Sequence, residues 1–225
     1  MTQFQTQPII RLGAVSAAMT TLLLLAYLLT LALGLMSLPN PDQPIGDPYF
    51  TLMELLIIVM VPIIILMMVA ILTICPASRK PQAIAALVFM AMMGTITMSV
   101  HFAILILQPN PAFADMSRVL TFTWPSVVYV LDILAWDIFF ALGVILAAGT
   151  FDTGPLAFWI RLLLWTSGLL ALAGLAGVPT GDMQLRNIGI VGYAVVFPIA
   201  TALIGVYFHR LPHMRGSGLF PDVAS

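Results

Sequence analysis

The sequence predicts an all-α fold, a six-helix transmembrane bundle, and three observations predict it. Six apolar stretches, at residues 10–38, 50–75, 83–107, 126–149, 156–178 and 188–208, take up most of the 225 residues. The chain is 61% hydrophobic and 8% charged, against about 25% charged in soluble domains. The runs are continuously apolar rather than alternating, which excludes a strand barrel. A hydrocarbon core about 30 Å thick takes about 20 residues of helix, and each stretch reaches that length. Helix is the required conformation because unpaired backbone groups in lipid cost several kcal/mol each.

The elements follow in order. The first stretch is too long for the apolar part of a cleaved signal peptide and is preceded by no basic segment, so it is expected to remain as a helix. Pro39, Pro41, Pro44, Gly46 and Pro48 end it and hold a loop open. The second stretch carries Pro62 and ends at Cys75-Pro76, before a turn containing Arg79 and Lys80. The third ends near Gln108, where the longest loop begins, with Pro109, Pro111, Trp124 and Pro125. A short Gly149–Pro155 turn separates the fourth and fifth stretches, and Pro179, Gly181 and Asp182 separate the fifth and sixth. The sixth carries Pro198. Pro62 and Pro198 each remove a backbone hydrogen bond, which reads either as ordinary transmembrane proline or as a hinge. Residues 1–210 read as one transmembrane domain and 211–225, with Pro212, Gly216, Gly218 and Pro221, as a flexible tail.

Charge sets the expected orientation. Arg11, Arg79, Lys80, Arg210 and Arg215 fall on the side of the termini, with Arg161 near it, while the opposite loops hold Arg118 and Arg186. Both termini are therefore expected to be cytoplasmic. The net charge of −1 offers no basic field for nucleic acid. The lone Cys75 can form no internal disulfide. Ala14 with Ala18, Ala173 with Gly177, and Gly168, Gly174, Gly189, Gly192 and Gly205 let helices approach closely. They serve either packing within the chain or an oligomer face.

Polar residues within the spans carry the functional information, because a charge in lipid is costly. Glu54, His101 and Asp132 all fall roughly 6–11 Å below the same surface at about 1.5 Å per residue. On the fourth stretch Tyr129, Asp132, Trp136, Phe140, Gly143 and Ala147 share one helical face, and on the third Met90, Gly94, Thr97 and His101 do. Both faces are expected to point inward. Asp137 lies near the midplane, off the Asp132 face, and is expected to meet a different neighbour. Arg161 is the internal cation that could pair with it, but is expected to snorkel to the headgroups. Asp137 would then be protonated and bonded across helices.

The segments Ala135-Trp136-Asp137-Ile138-Phe139-Phe140 and Gly181-Asp182-Met183-Gln184-Leu185-Arg186-Asn187-Ile188-Gly189-Ile190-Val191-Gly192-Tyr193 resemble those of a group of uncharacterised bacterial multi-pass integral membrane proteins. The resemblance covers the last three helices and implies a bacterial inner (plasma) membrane location, with no function, substrate or site residue attached.

Three functions stay open. The leading one is non-enzymatic binding or transport of a small solute, proton or lipid-like ligand through Glu54, His101 and Asp132, with Tyr129, Trp136 and Asp137 beside them. The second is a structural or accessory subunit of a membrane complex, with partner subunits or further copies of the chain. The third is a metal-dependent membrane enzyme using Glu54, His101 and Asp132 as ligands. No cofactor is expected: one internal histidine excludes bis-histidine haem, and the spans hold no lysine for a retinal Schiff base. No catalytic triad or phosphate-binding loop is present.

Overall fold

The structure, a computed structural model, describes residues 3–40, 43–116, 118–151 and 154–216. Six helices long and apolar enough to cross a membrane account for nearly all of them, and there is no strand among the described residues. They are α1 (Gln3–Met36), α2 (Tyr49–Ile74), α3 (Lys80–Leu107), α4 (Val127–Ala148), α5 (Pro155–Thr180) and α6 (183–216). Each packs on the next in chain order and α6 closes back on α1, forming a ring of antiparallel neighbours.

Local chemistry starts and stops the helices. Asp47 accepts hydrogen bonds from the Thr51 hydroxyl (2.6 Å) and backbone N–H (3.1 Å) at the start of α2. Those bonds hold its carboxyl below the usual range. Ser126 caps α4, accepting from Tyr129 N–H at 3.2 Å. Gly181 ends α5 in the left-handed region, φ 72°, which only glycine adopts freely. Asp182 then caps α6, accepting from Gln184 N–H at 3.0 Å. The sixth span therefore begins at Met183, not near 188, and α6 stays helical to Gly216. Residues 217–225 of the expected tail lie outside the described residues.

Two helices depart from α-geometry. α4 is π-helical over Leu134–Phe140 and α6 over Val191–Val196. The second lies just before Pro198, whose missing N–H leaves the carbonyl of residue 194 without its usual donor. α2 stays α-helical across Pro62.

The ring interior is filled by Met60, Ile64 and Met67 of α2, Met90 and Met93 of α3, Phe140 of α4, and Phe197 and Phe208 of α6. The Phe140 and Phe197 rings meet edge-on at 4.9 Å. Small residues set the α5–α6 approach. A Cβ on Gly174 would stand 3.0 Å from Gly189 Cα, and one on Gly192 would stand 2.6 Å from Ser167 O. Gly205 faces Ala17 and Ala18 of α1. These glycines thus serve contacts within the chain, whereas Ala173 is exposed and does not join Gly177. Hydroxyls add fixed points: Thr21 to Thr201 at 2.8 Å ties α1 to α6, and Ser167 donates to Gly192 O at 3.0 Å.

Gly192→Ala is expected to destabilise the fold by about 1–3 kcal/mol, because a methyl group there overpacks against backbone. Gly46→Ala, with nothing within 4 Å of the added carbon, is expected to change stability by less than about 0.5 kcal/mol. Unfolding of the two variants in mixed micelles measures the difference.

Candidate functional site

Five ionisable side chains from four helices form one chain of contacts near the α2, α4 and α6 starts. Glu54 on α2 leads, with Oε2 at 2.7 Å from His101 Nδ1 on α3. The other ring nitrogen, Nε2, stands 3.5 Å from Asp132 Oδ1 on α4. Asp132 Oδ2 accepts from Arg186 Nη2 at 2.6 Å, and Arg186 Nε donates to Asp137 Oδ2 at 3.0 Å. The guanidinium of α6 is therefore held between two carboxylates of α4, and its face covers the Tyr129 ring at 4.7 Å from the centroid. Relative exposures are 2% for Glu54, 3% for His101, 8% for Asp132, 5% for Arg186 and 0% for Asp137. Water does not solvate these charges, so they stabilise one another or cost several kcal/mol each.

Aromatic rings close the site. Phe122, from the loop between α3 and α4, lies 5.2 Å from the His101 ring and 6.4 Å from Tyr129. Trp136 packs on Tyr193 at 5.1 Å and Phe140 at 5.5 Å, beside the charged chain. Tyr27 of α1 and Tyr193 of α6 lie within electrostatic range of Asp132 and Arg186. Two buried polar atoms here have no hydrogen-bond partner among the described residues: His101 Nε2 and Asp137 Oδ1. Gly189 makes room for the second, since a Cβ there would stand 2.8 Å from it.

Glu54, His101 and Asp132 thus converge at one depth, and the inward faces of α3 and α4 hold: Met90, Gly94, Thr97 and His101 are buried, as are Asp132, Trp136, Phe140, Gly143 and Ala147. Three expectations are corrected. Arg186 is not a loop cation; the Asp182 cap starts α6 early and turns Arg186 inward. Asp137 pairs with Arg186, and Arg161 is exposed on α5 with no part in the site. Asp137 also shares its neighbour with Asp132, because the π-helical turn bonds i to i+5 and brings residues five apart toward one face.

The geometry also bears on metal ligation. Both ring nitrogens of His101 face carboxylates, and a guanidinium occupies the free edge of Asp132. Among the described residues no three His, Cys, Asp or Glu side chains are placed to hold one metal ion. What the arrangement can do is hold, pass or release a proton along alternating acids and bases. Comparison with family models, with curated proteins and with solved structures gives no match for this chain.

Arg186→Leu is expected to cost about 3–5 kcal/mol by leaving Asp137 buried and unpaired and Asp132 with His101 alone. Adding Asp137→Leu should recover part of that loss. Asp137→Leu alone should be better tolerated than Asp137→Lys, which sets a second cation against Arg186. Membrane yield and mixed-micelle unfolding of the variants check the order.

Proposed function

We propose that this protein is a non-enzymatic, multi-pass integral membrane protein that binds and releases a proton at the Glu54–His101–Asp132 chain. The proton is coupled to binding or transport of a small solute or lipid-like ligand at the same end of the bundle. One observation carries this reading. The buried set holds three carboxylates, Glu54, Asp132 and Asp137, against one permanent cation, Arg186. A protonated His101 still leaves one carboxylate in excess, and an uncompensated charge in lipid is costly. The excess is balanced by a further proton, so the site is a proton store whose occupancy sets its net charge. A histidine between two acids, its ring nitrogens 2.7 and 3.5 Å from carboxylate oxygens, is suited to hold that proton and pass it on.

The orientation we propose places both termini in the cytoplasm of a bacterium and the site toward the outer face of its inner membrane. The burial of Arg186 supports it: that residue leaves the outer-loop count, where Arg118 remains, while Arg11, Arg79, Lys80 and Arg210 stay on the other side.

A second reading, a structural or accessory subunit of a membrane complex, is favoured by the contacts themselves, since each of the three carboxylates touches a basic group of another helix. In that case the chain of ion pairs fixes helix register and exchanges nothing.

Proton exchange separates the two. Purified protein, stepped down in pH from about 10 to about 5 with a pH-indicator dye, is expected to take up about one proton more than either His101→Gln or Asp132→Asn. Both variants should lose that one proton of uptake while retaining the fold. Unchanged uptake in both variants, or none in the native protein, would overturn the proton-binding reading.

A further inference from the structure

A cleft of about 760 Å³ opens in the loop joining α3 to α4, over the site end of the bundle. Its polar lining is Gln108, Arg118, Thr121 and Thr123, and its apolar lining includes Phe113 and Trp124. The volume falls within the range of about 300–1,000 Å³ of small-ligand sites. We infer that this cleft binds the headgroup of an anionic membrane lipid, with Arg118 as its phosphate-binding cation.

Charge selects the ligand's sign. Among the described residues, Arg118 is exposed and joins none of the ion pairs, and no carboxylate lines the cleft. A guanidinium free of partners beside two threonine hydroxyls and an amide offers several donors in a fork that matches phosphate oxygens.

Depth selects the source. Gln108 directly follows the last residue of α3, and Pro125 lies just before the Ser126 cap of α4. The cleft therefore sits where two spanning helices end, which is the headgroup level, and Trp124 is the residue type that partitions there. Phe102 and Ile106 of α3 and Val127 and Val130 of α4 are exposed apolar side chains on the two helices below it, a surface suited to acyl chains.

The cleft is held in place. Val127 N–H donates to Arg118 O at 3.3 Å and Val128 N–H to Val119 O at 3.2 Å, so the segment bearing Arg118 is pinned to the first turn of α4. Leu120 is buried with Val100, Ile104 and Val128 beneath it. Two residues on, Phe122 rests on His101. A lipid seated in the cleft thus lies above the ring that covers the proton site. The inference goes beyond the proton-binding reading and can fail separately from it.

The test uses the full chain purified in neutral detergent and exposed to phosphatidylglycerol, phosphatidylcholine or inorganic phosphate, with bound lipid read by native mass spectrometry. Phosphatidylglycerol should be retained in preference to phosphatidylcholine, and inorganic phosphate at equal concentration should not displace it. Arg118→Gln should bind it about tenfold more weakly, the loss of one charge-assisted contact. Arg161→Gln, which removes another exposed arginine, should bind it like the native protein. Native-like retention in Arg118→Gln, equal retention of phosphatidylcholine, or displacement by inorganic phosphate would each overturn the inference. Arg118→Gln should keep native proton uptake, and His101→Gln should keep native lipid retention.

Discussion

The guanidinium of Arg186, gripped by Asp132 and Asp137, is the interaction on which the bundle depends. A lone arginine at this depth is expensive in lipid, and so is either aspartate. Together they are tolerated only in a geometry that brings α4 and α6 within a hydrogen bond of each other. The glycines follow from that demand. Gly189 leaves space for Asp137, and Gly174 lets α5 approach α6 behind it. The π-helical turn in α4 follows too, since it turns Asp137 toward the same partner as Asp132. His101 and Glu54 extend the pairing to α3 and α2, so four of the six helices are fixed in register by one line of charges. Such pairing contributes specificity more than net stability, because desolvation offsets much of the Coulomb gain.

How much of this could be read from the sequence depends on how each signal is written. The six spans were legible because lipid imposes a length on every apolar run, and length is printed directly in the chain. The convergence of Glu54, His101 and Asp132 was legible because rise per residue is nearly constant in a helix, so position along a span converts to depth. Arg186 was not, although its signal was present. Asp182 is a capping residue four positions earlier, and taking it as the start of α6 places Arg186 inside the first turns. Hydropathy averaged over Met183–Arg186 hides that start, since Gln184 and Arg186 lower it. The partner of Asp137 was not legible at all. A wheel of constant angle assigns it another face, and nothing in Leu134–Phe140 announces the extra residue per turn.

The charged line occupies one end of the ring, and beyond it the interior turns to methionine and aromatic side chains in one buried cluster that includes Met60, Met90, Phe140, Phe197 and Phe208. Under the proton-binding proposal this division has a physical meaning. Protons and polar solutes exchange with the site from the end where the long loop lies, while the apolar layer blocks passage to the other side in this conformation. The threonines between α1 and α6 do not bridge that layer. Thr201 donates to Thr21, whose own hydroxyl donates back into its helix at Ala17 O. They act as interhelical fasteners, the common use of hydroxyls in lipid.

The two π-helical turns lie where the polar layer gives way to the dry one. Leu134–Phe140 begins just below Asp132, and Val191–Val196 begins just below Arg186 and ends at Phe197-Pro198. A π turn carries one residue more than an α turn, and restoring α-geometry rotates every side chain on one side of it. In α4 that rotation would carry Asp137 off Arg186 while leaving Asp132 in place. Removing one of its two carboxylates changes the charge that Arg186 presents to Asp132, and through Asp132 to His101. Under the proton-binding proposal, a change in protonation at His101 and a change of helical register in α4 would be linked through the same guanidinium. Such a linkage would give the proposed proton-binding site at one end of the bundle a route to alter the packing at its middle.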